Sequence, residues 1–594
     1  MSRRISRLLW SVNAIILFAP GFLSNASAVD SPTFTKQVAP ILFKHCVNCH
    51  RPGEIASAVS LLSYDTARPW ADSIKQQVSQ RQMPPWIADS NRSAKFRNDA
   101  RLSQQEIDTL VAWVNAGAPR GNDADLPPAP TFAQGWLHPK GLAPDLVITL
   151  PESQLPAQLE IPYLRYLIKV PVSEDKWVVA MQVLPGNSAV VHHMAITELA
   201  LADGVTPENI DKLNQVARKL GFPNGLNSTH FAVTAPGKPA VYDMLGVYTP
   251  GTTIEMYEDG SAKLLQSGKN LYLNFNIHYQ TTGKPETDRT RVAFWFRPDP
   301  PKHQLFRVPA AGETIIADGK QLLTDTPGQK AEGTTVAIPP IPPYAENYEV
   351  VGVTAYTEPV TIYQLQPHAH LRGKDFKYSV VYPDGREETV LTVPKYDFHW
   401  QLAYELETPL HLPAGSKLVV TAHYDNSAKN DHLMHHHGHE AHDPQHVPGP
   451  EKEVYFREMN QSWDEMFTPF IQYTIDGQNL TGQPEPQGQN VLDIAEVVGC
   501  LEPGPSNTWL LTHASEPVVS ETQSTSAAAL KAEAGKPLGK QRDQLLGSDV
   551  FNPSSQERKK VAVKGVLLKG VLINDIKGNR LNVTSLQPLA PTCP

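Results

Sequence analysis

Cysteine is scarce in this chain, with four residues in 594 and none between Cys49 and Cys500. Only Cys46 and Cys49 lie close together, and no second cysteine pair follows them. A zinc site would need two more ligands nearby. The scarcity of cysteine therefore argues against zinc and leaves this pair for another chemistry.

Excess positive charge and long apolar runs are also lacking. The chain has 52 Lys and Arg against 61 Asp and Glu, which gives a net charge of −9. A nucleic-acid-binding protein usually carries a basic surface, so we expect no nucleic acid as a partner. After the N-terminal segment no stretch is apolar over the length of a membrane-spanning helix, so we expect no span in the mature protein.

The N-terminus has the pattern of an export signal. Arginines precede a mainly apolar stretch, 8–23, and Ala26-Ser27-Ala28 is a small-residue cleavage site. A membrane anchor is the alternative, but Pro20 and polar residues interrupt the apolar stretch. We therefore expect a signal peptide over residues 1–28 and a periplasmic or secreted protein.

Length and patterning predict several domains. The length suggests roughly four domains at about 150 residues each, and 53 prolines against 37 glycines favour loops and edge strands. Short alternating runs between residues 145 and 487 are typical of antiparallel β-sandwiches. We predict, in order, a small all-α domain (29–122), a proline-rich linker (123–144), two antiparallel β-sandwiches (145–310 and 311–487) and a small β domain (488–594) with a flexible insert near 521–540.

The all-α domain contains the attachment motif of a c-type haem. Cys46 and Cys49 of C-x-x-C-H can form thioethers to the haem, and His50 can reach its iron. Met83, in a loop held by prolines, is the candidate sixth ligand, with a core methionine as the alternative. A capping box at Ser103 starts a further helix. In this order the elements resemble a small class I cytochrome c, which implies one covalent haem c.

Two strand-like segments place histidines away from an apolar face. In segment 271–279 apolar residues alternate with polar ones, and His278 falls among the polar ones. In segment 363–371, His368 and His370 are two residues apart and point to the same face of a strand, so both could chelate one ion. A pair of solvated surface histidines is the alternative for His368 and His370.

The pair His192-His193 and the residue Met466 are weaker signals. Adjacent strand residues point to opposite faces, so both histidines can bind one metal only at a strand end or an irregular segment. Met466 would by itself more often be a core methionine than a ligand. Imidazole suits copper, however, and a thioether is a soft ligand that favours Cu(I).

The order of these fragments resembles the copper type II ascorbate-dependent monooxygenases, the peptidylglycine α-hydroxylating and dopamine β-type enzymes. The matching fragments are Val191-His192-His193-Met194, Ile277-His278-Tyr279, His368-Ala369-His370 and Asp464-Glu465-Met466. The resemblance implies two coppers: an electron-transfer copper on His192, His193 and His278, and a catalytic copper on His368, His370 and Met466. It also implies two jelly-roll-like sandwiches that face each other across an open cleft.

Three positions depart from the peptide-amidating enzymes. Gln366 stands where those enzymes have an arginine that helps hold the substrate carboxylate, and Thr468 and Phe470 stand where they have Asn and Tyr. Without a guanidinium here, a carboxylate loses its bidentate partner. A peptidylglycine substrate is therefore not expected, and the substrate stays an unknown small organic molecule.

Two further features have more than one interpretation. Cys500 and Cys593 form a disulfide in an oxidising compartment, or they stay as two free buried thiols. The tract 432–446 has seven histidines and is either a solvated loop or an auxiliary copper-binding segment.

Together the patterns predict an exported monooxygenase that hydroxylates a substrate C–H bond with dioxygen. Electrons would come through the haem from an external donor, either ascorbate or a redox protein. The alternative is a copper-binding electron-transfer or copper-handling protein without monooxygenase activity. A third interpretation is that the haem domain is a signalling or docking module that is not connected to the coppers.

Overall fold

Most regular structure in the protein is β-sheet. The computed structural model describes residues 31–157, 163–201, 203–209, 212, 244–252, 254–268, 270–328, 330, 333–430, 433, 448–456, 462–482, 491–573 and 576–594. The predicted signal peptide and, apart from Leu433, the histidine-rich tract 432–446 lie outside these residues. No helix within the described ranges is long and apolar enough to cross a membrane.

The N-terminal region is helical, as the sequence predicted. Its helices are α1 (Ala39–His45), α2 (Tyr64–Ala67), α3 (Ala71–Ser79) and α4 (Gln104–Asn115). The capping box at Ser103 starts α4, because Ser103 accepts from the Glu106 N–H while the Glu106 carboxylate accepts from the Ser103 N–H. Leu42, Leu110 and Trp113 form part of the core that these helices share.

The first β unit has two sheets that pack over one core. Its strands are β1 (Leu146–Thr149), β2 (Ser153–Leu155), β3 (Leu164–Lys169), β4 (Lys176–Leu184), β5 (Val191–Ala200), β6 (Met244–Tyr248), β7 (Ile254–Met256), β8 (Ser261–Leu265), β9 (Leu271–Tyr279), β10 (Glu286–Asp288), β11 (Arg291–Arg297) and β12 (His303–Gln304). One sheet has the order β1-β11-β4-β8-β12 with β7 added to β4, the other has the order β3-β9-β5-β6, and β2 pairs with β10 separately. Met181 and Phe275, one from each sheet, share the core. The pairing of β12 with β8 is parallel, which departs from the predicted all-antiparallel pattern.

The second β unit also has two sheets over one core. Its strands are β13 (Phe306–Pro309), β14 (Thr314–Ala317), β15 (Lys320–Gln321), β16 (Tyr348–Ala355), β17 (Val360–Gln366), β18 (Gly373–Val381), β19 (Glu387–Val393), β20 (Tyr404–Leu412), β21 (Lys417–Tyr424) and β22 (Phe470–Ile475). The sheets have the orders β13-β22-β17-β20 and β15-β14-β16-β21-β18-β19. Because β13 pairs with β22, residues 306–310 belong to this unit and not to the first sandwich, where the sequence placed them.

The C-terminal unit is a small β-barrel. Its strands are β23 (Ile494–Pro503), β24 (Trp509–Ala514), β25 (Val518–Val519), β26 (Gln541–Leu546), β27 (Lys560–Ile573) and β28 (Ile576–Ala590). The order β24-β26-β28-β27-β23 closes on itself because β23 also pairs with β24. The Cys500–Cys593 disulfide is present. The segment 521–540, predicted as a flexible insert, contains the helix α5 (Ala527–Ala534), which Ser526 caps.

The N-terminal region is joined closely to the β units, so the predicted boundary at residue 122 does not separate independent bodies. Trp86 and Phe96 pack into the core of the second β unit. Arg97 forms ion pairs of 2.7 Å with Glu258 of the first unit and Glu405 of the second. The loop that follows Met83 thus contributes side chains to the core of the second β unit.

The proline-rich segment 123–144 also packs on the first β unit. The ring of Trp136 contacts the ring of Trp295 at 6.3 Å between centroids. The Leu137 N–H donates to the side-chain oxygen of Gln182 at 2.8 Å. The sequence predicted a linker because the segment has no periodicity, which does not reveal such docking of individual side chains.

Candidate metal centres

Three histidines of the first β unit converge, as the sequence predicted. His192 and His193 lie at the start of β5, and His278 lies near the end of β9. The two strands pair antiparallel, with His193 opposite His278. The register shifts between Val191 and His193, so His192 is the extra residue at an irregularity of the ladder. The irregular segment that two adjacent histidines need is therefore present.

His192, His193 and His278, here called the histidine site, are buried and arranged to hold one ion. One ligand atom of each lies within 4.8 Å of the others. Nδ1 of His192 is 3.0 Å from Nδ1 of His193, and Nε2 of His193 is 2.9 Å from the Tyr163 hydroxyl. His193 can thus donate from Nε2 to Tyr163 and offer Nδ1 to a metal. A set of three imidazoles suits copper.

The second pair of histidines lies on irregular backbone. β17 ends at Gln366, so the strand that we predicted for His368 and His370 stops before both residues. Their ring centroids are nevertheless only 5.3 Å apart. Side chains continue to alternate in direction beyond the end of the strand. Ala369 and Leu371 are fully buried in the core, so the imidazoles of His368 and His370 point to the opposite side.

Met466 lies beside this pair because segment 464–468 runs along the two histidines. Nδ1 of His370 is 3.0 Å from the Asp464 carbonyl oxygen. The Thr468 N–H donates to the His368 carbonyl oxygen at 3.2 Å. Met466 lies between these two contacts in the chain and is buried. We call His368, His370 and Met466 the His–Met site.

Hydrogen bonds fix which nitrogen each of these histidines can offer. Nδ1 of His368 is 2.9 Å from Oε1 of Gln401, and Nδ1 of His370 faces the Asp464 carbonyl. Because both partners are oxygen acceptors, the proton sits on Nδ1 and the lone pair on Nε2. The site therefore offers two Nε2 atoms, and with the thioether of Met466 this donor set would suit copper and favour its reduced form.

Burial keeps these imidazoles neutral, which metal binding requires. Burial first, then the neighbouring His368 and the cations of Arg165 and Arg372, together lower the pKa of His370 to about 3, against the opposing bond to the Asp464 carbonyl. Burial lowers the pKa of His368 to about 4, against the opposing bond to Gln401. Burial likewise holds the pKa of His193 well below its usual range.

A buried carboxylate organises the backbone of the His–Met site. Glu465 accepts from the N–H groups of His370 at 2.9 Å, Arg372 at 2.6 Å and Met466 at 3.2 Å. Burial raises its pKa to about 7 despite these bonds, which lower it. Glu465 therefore connects both ligand-bearing segments and fixes their relative position.

Two aromatic side chains join the two sites. The Tyr163 ring lies 4.9 Å from the His278 ring and 6.2 Å from the His370 ring between centroids. Phe398 lies 6.0 Å from His193 and 5.9 Å from His370. The sites are thus separated by one layer of rings, and the open cleft that the resemblance implied is closed by these described residues.

A third group of predicted residues surrounds a cavity of about 480 Å³. Cys46, Cys49, His50 and Met83 all line it, and neither cysteine is in a disulfide. Nδ1 of His50 is 3.0 Å from the Val59 carbonyl oxygen, which leaves Nε2 for an iron. Two free thiols, an oriented imidazole and a thioether around a mainly apolar cavity fit a covalently attached haem. We call this space the CxxCH cavity.

Part of the wall of the CxxCH cavity comes from the β units. His192 of the histidine site lines it, and Thr249, Pro250 and Gln280 of the first β unit line it as well. Residues 399–402 of the second β unit complete the wall. One ligand of the histidine site therefore also lines the cavity.

Sequence reasoning missed the residues that connect these groups. Tyr163, His399 and Gln401 lie in no motif, and only the cluster of rings in segment 396–400 could have drawn notice. Arg165 was missed as well. No guanidinium stands at position 366, but the charge of Arg165 acts on His370 from the other β unit.

Comparison with known families covers part of the second β unit. Residues 334–443 match the model of the copper type II ascorbate-dependent monooxygenase C-terminal domain, a span that contains His368 and His370 and stops before Met466. No curated protein sequence matches the chain. The match supports the copper type II ascorbate-dependent monooxygenase family and indicates that the chain is an oxidoreductase, a monooxygenase.

Proposed function

We propose that the protein is an exported copper-dependent monooxygenase that hydroxylates a C–H bond of a small organic substrate, with electrons supplied through a covalent haem c. One oxygen atom enters the C–H bond and the other leaves as water, and the reaction consumes two electrons and two protons. One observation carries the proposal: two ligand sets of different chemistry lie one ring layer apart.

Copper would supply dioxygen activation at the His–Met site and electron transfer at the histidine site. Gln401 and the Asp464 carbonyl hold His368 and His370 with their Nε2 atoms available. Tyr163 orients His193. The low exposure of His193 and His370 keeps bulk water away from these two ligands.

The CxxCH cavity supports a haem as the electron source. Its residues carry the attachment chemistry, and its wall includes His192. The packing of Trp86 and Phe96 into the second β unit fixes the cavity against the copper ligands. This joint packing favours a haem that serves the coppers over a separate signalling module. Ascorbate or a redox protein would reduce the haem from outside.

Export is supported by two features. The predicted signal peptide directs the chain out of the cytoplasm. The Cys500–Cys593 disulfide is of the kind that persists in oxidising compartments.

The test is reoxidation of the copper-loaded protein. The full chain is reduced with dithionite, freed of excess reductant and mixed with oxygen in the presence of a panel of C–H substrates. We expect rapid oxygen uptake coupled to haem oxidation, and slow uptake in Met466→Ala. Equal rates in both proteins would refute the assignment of the His–Met site.

A matched control separates loss of a ligand from loss of packing. Met181 is equally buried but lies in the core of the first β unit. Met181→Ala should lose stability, as truncation of a core side chain does, and keep the fast oxygen uptake.

Copper stoichiometry tests the copper-handling alternative. Two tight coppers that survive deletion of residues 432–446 support the enzyme. Many coppers that are lost with that segment support copper handling instead.

A further inference from the structure

The segment 398–401 contacts both ligand sets and the CxxCH cavity. Phe398 contacts His193 and His370, and the His399 ring lies 6.0 Å from the His192 ring between centroids. Gln401 bonds His368. His399 and Gln401 also line the CxxCH cavity. Four consecutive residues thus form a common wall of three predicted redox centres.

We infer that His399 and His192 form the wall through which an electron passes directly from the haem in the CxxCH cavity to the histidine site. This inference rests on the proposed function. Ferrous haem iron is oxidised to ferric iron, and copper(II) at the histidine site is reduced to copper(I). One electron moves, no bond is made or broken, and no proton has to accompany it.

His192 belongs to both sides of this wall. Its Nδ1 lies 3.0 Å from Nδ1 of His193, inside the histidine site. The same side chain lines the CxxCH cavity. An occupant of that cavity is therefore separated from the copper ligands by no further layer of protein. Electron transfer rates fall steeply with distance, so this arrangement favours a direct transfer.

The β units also contact the cysteine side of the cavity. A Cβ atom placed on Gly251 would lie 3.6 Å from Sγ of Cys49, which is van der Waals contact. The amide of Gln280 donates to the Ile55 carbonyl at 3.2 Å and to the Ala189 carbonyl at 2.9 Å. These bonds tie the loop after the C-x-x-C-H motif to the segment that leads into His192.

His399 is the residue of this wall whose ring lies beside His192. Its ring packs against His192 from the second β unit, whereas His192 belongs to the first. Removal of the ring would open the wall and let the haem and His192 separate. His399 is therefore a positioning residue, and its loss should change the rate of transfer without changing the number of coppers bound.

The experiment follows haem oxidation by copper in the absence of oxygen. The full chain, with its haem reduced, is mixed with saturating copper(II) sulfate, and haem absorbance is recorded by stopped flow. In the unaltered protein we expect a fast phase whose rate is independent of protein concentration. In His399→Ala that phase should slow by about tenfold, which corresponds to about 1.4 kcal/mol in activation free energy.

Two further variants control for packing. Leu402→Ala widens the same cavity from an aliphatic side chain and should keep the fast phase. His399→Phe retains a ring beside His192, so its haem should also be oxidised in the fast phase. Copper content, read from the electron paramagnetic resonance spectrum, should be equal in all four proteins.

Three outcomes would overturn the inference. The first is an equal slowing in His399→Ala and Leu402→Ala, and the second is no slowing in either. The third is a rate that rises with protein concentration, since transfer would then occur between molecules. Absence of a covalent haem spectrum before mixing would instead refute the haem part of the proposed function, and the inference with it.

Discussion

The histidine site and the His–Met site are built on different backbone. The histidine site stands on two paired strands, and one irregularity in their register brings His192 and His193 together. The His–Met site stands on two irregular segments that Glu465 holds together. One set offers Nδ1 of His193, and the other offers Nε2 of His368 and His370.

The two sites are also held in place by different interactions. Cross-strand pairing fixes the backbone of the histidine site, and Tyr163 orients His193 within it. The His–Met site depends on side-chain bonds from Gln401 and Glu465, and two buried polar atoms beside it, Oε1 of Gln366 and Oγ1 of Thr468, have no hydrogen-bond partner among the described residues. Such groups can accept a ligand. These two groups favour the proposal that the substrate binds at the His–Met site and that electrons are delivered to the histidine site.

The largest effect should come from removing one ligand of each site. His278→Ala and His370→Ala should each bind one copper in place of two, and each should hydroxylate substrate more than about a hundredfold more slowly, because the metal supplies several kcal/mol of barrier lowering. The remaining copper should have nitrogen and sulfur ligands in His278→Ala and nitrogen ligands alone in His370→Ala. X-ray absorption at the copper edge measures this. Identical spectra would mean that the two sites do not differ as the structure indicates.

The pH dependence of the copper-free protein should reveal buried neutral histidines at both sites. The pKa of His370 is about 3 in the folded chain against about 6.5 when exposed. Between these values the unfolded chain binds a proton that the folded chain does not. The free energy of unfolding should therefore fall as the pH drops below about 6.5, by up to about 5 kcal/mol for this residue.

Substitution of the histidines tests that slope. In His370→Gln and His193→Gln the new side chain does not titrate. The free energy of unfolding, measured by chemical denaturation between pH 7 and 4, should therefore decline less steeply in both variants than in the unaltered protein. A shallower decline in only one of the two variants would show that the other site is hydrated.

Much of the histidine site and little of its surroundings could be predicted from the sequence. Strand alternation placed His278, and the need for an irregular segment at His192-His193 was correct. The strand that we predicted for His368 and His370 was too long, because β17 ends at Gln366. Side chains continue to alternate beyond that point since Ala369 and Leu371 remain in the core, and the sequence pattern does not reveal where strand pairing ends. Tyr163, His399 and Gln401 were missed because their roles arise from contacts between units far apart in the chain.

A smaller effect should follow from Gln401→Ala. The variant leaves Nδ1 of His368 without its oxygen partner, so copper affinity at the His–Met site should fall by about 10- to 100-fold. Copper at the histidine site should bind as before. Titration with a competing chelator measures both affinities. Gln401→Glu keeps an oxygen acceptor and should restore most of the affinity.

A buried glutamine elsewhere provides the control for that variant. Gln182 is 2% exposed and bonds to backbone groups of the segment that precedes the first β unit. Gln182→Ala should lower stability and leave both copper affinities unchanged. If it weakens copper binding as much as Gln401→Ala does, the effect of Gln401 is one of stability alone.

The smallest effect should come from Thr468→Val. The Thr468 hydroxyl is fully buried without a hydrogen-bond partner in the described part of the chain, so its removal should raise the free energy of unfolding by up to about 1 kcal/mol. If the hydroxyl binds substrate, kcat/KM should fall severalfold at the same time. Thr290→Val is the matched control, because that hydroxyl is equally buried but donates to Asp288 at 2.8 Å, and its loss should destabilise the protein without changing kcat/KM. A gain in stability with unchanged kcat/KM would remove Thr468 from the substrate-binding side and weaken the assignment of the substrate to the His–Met site.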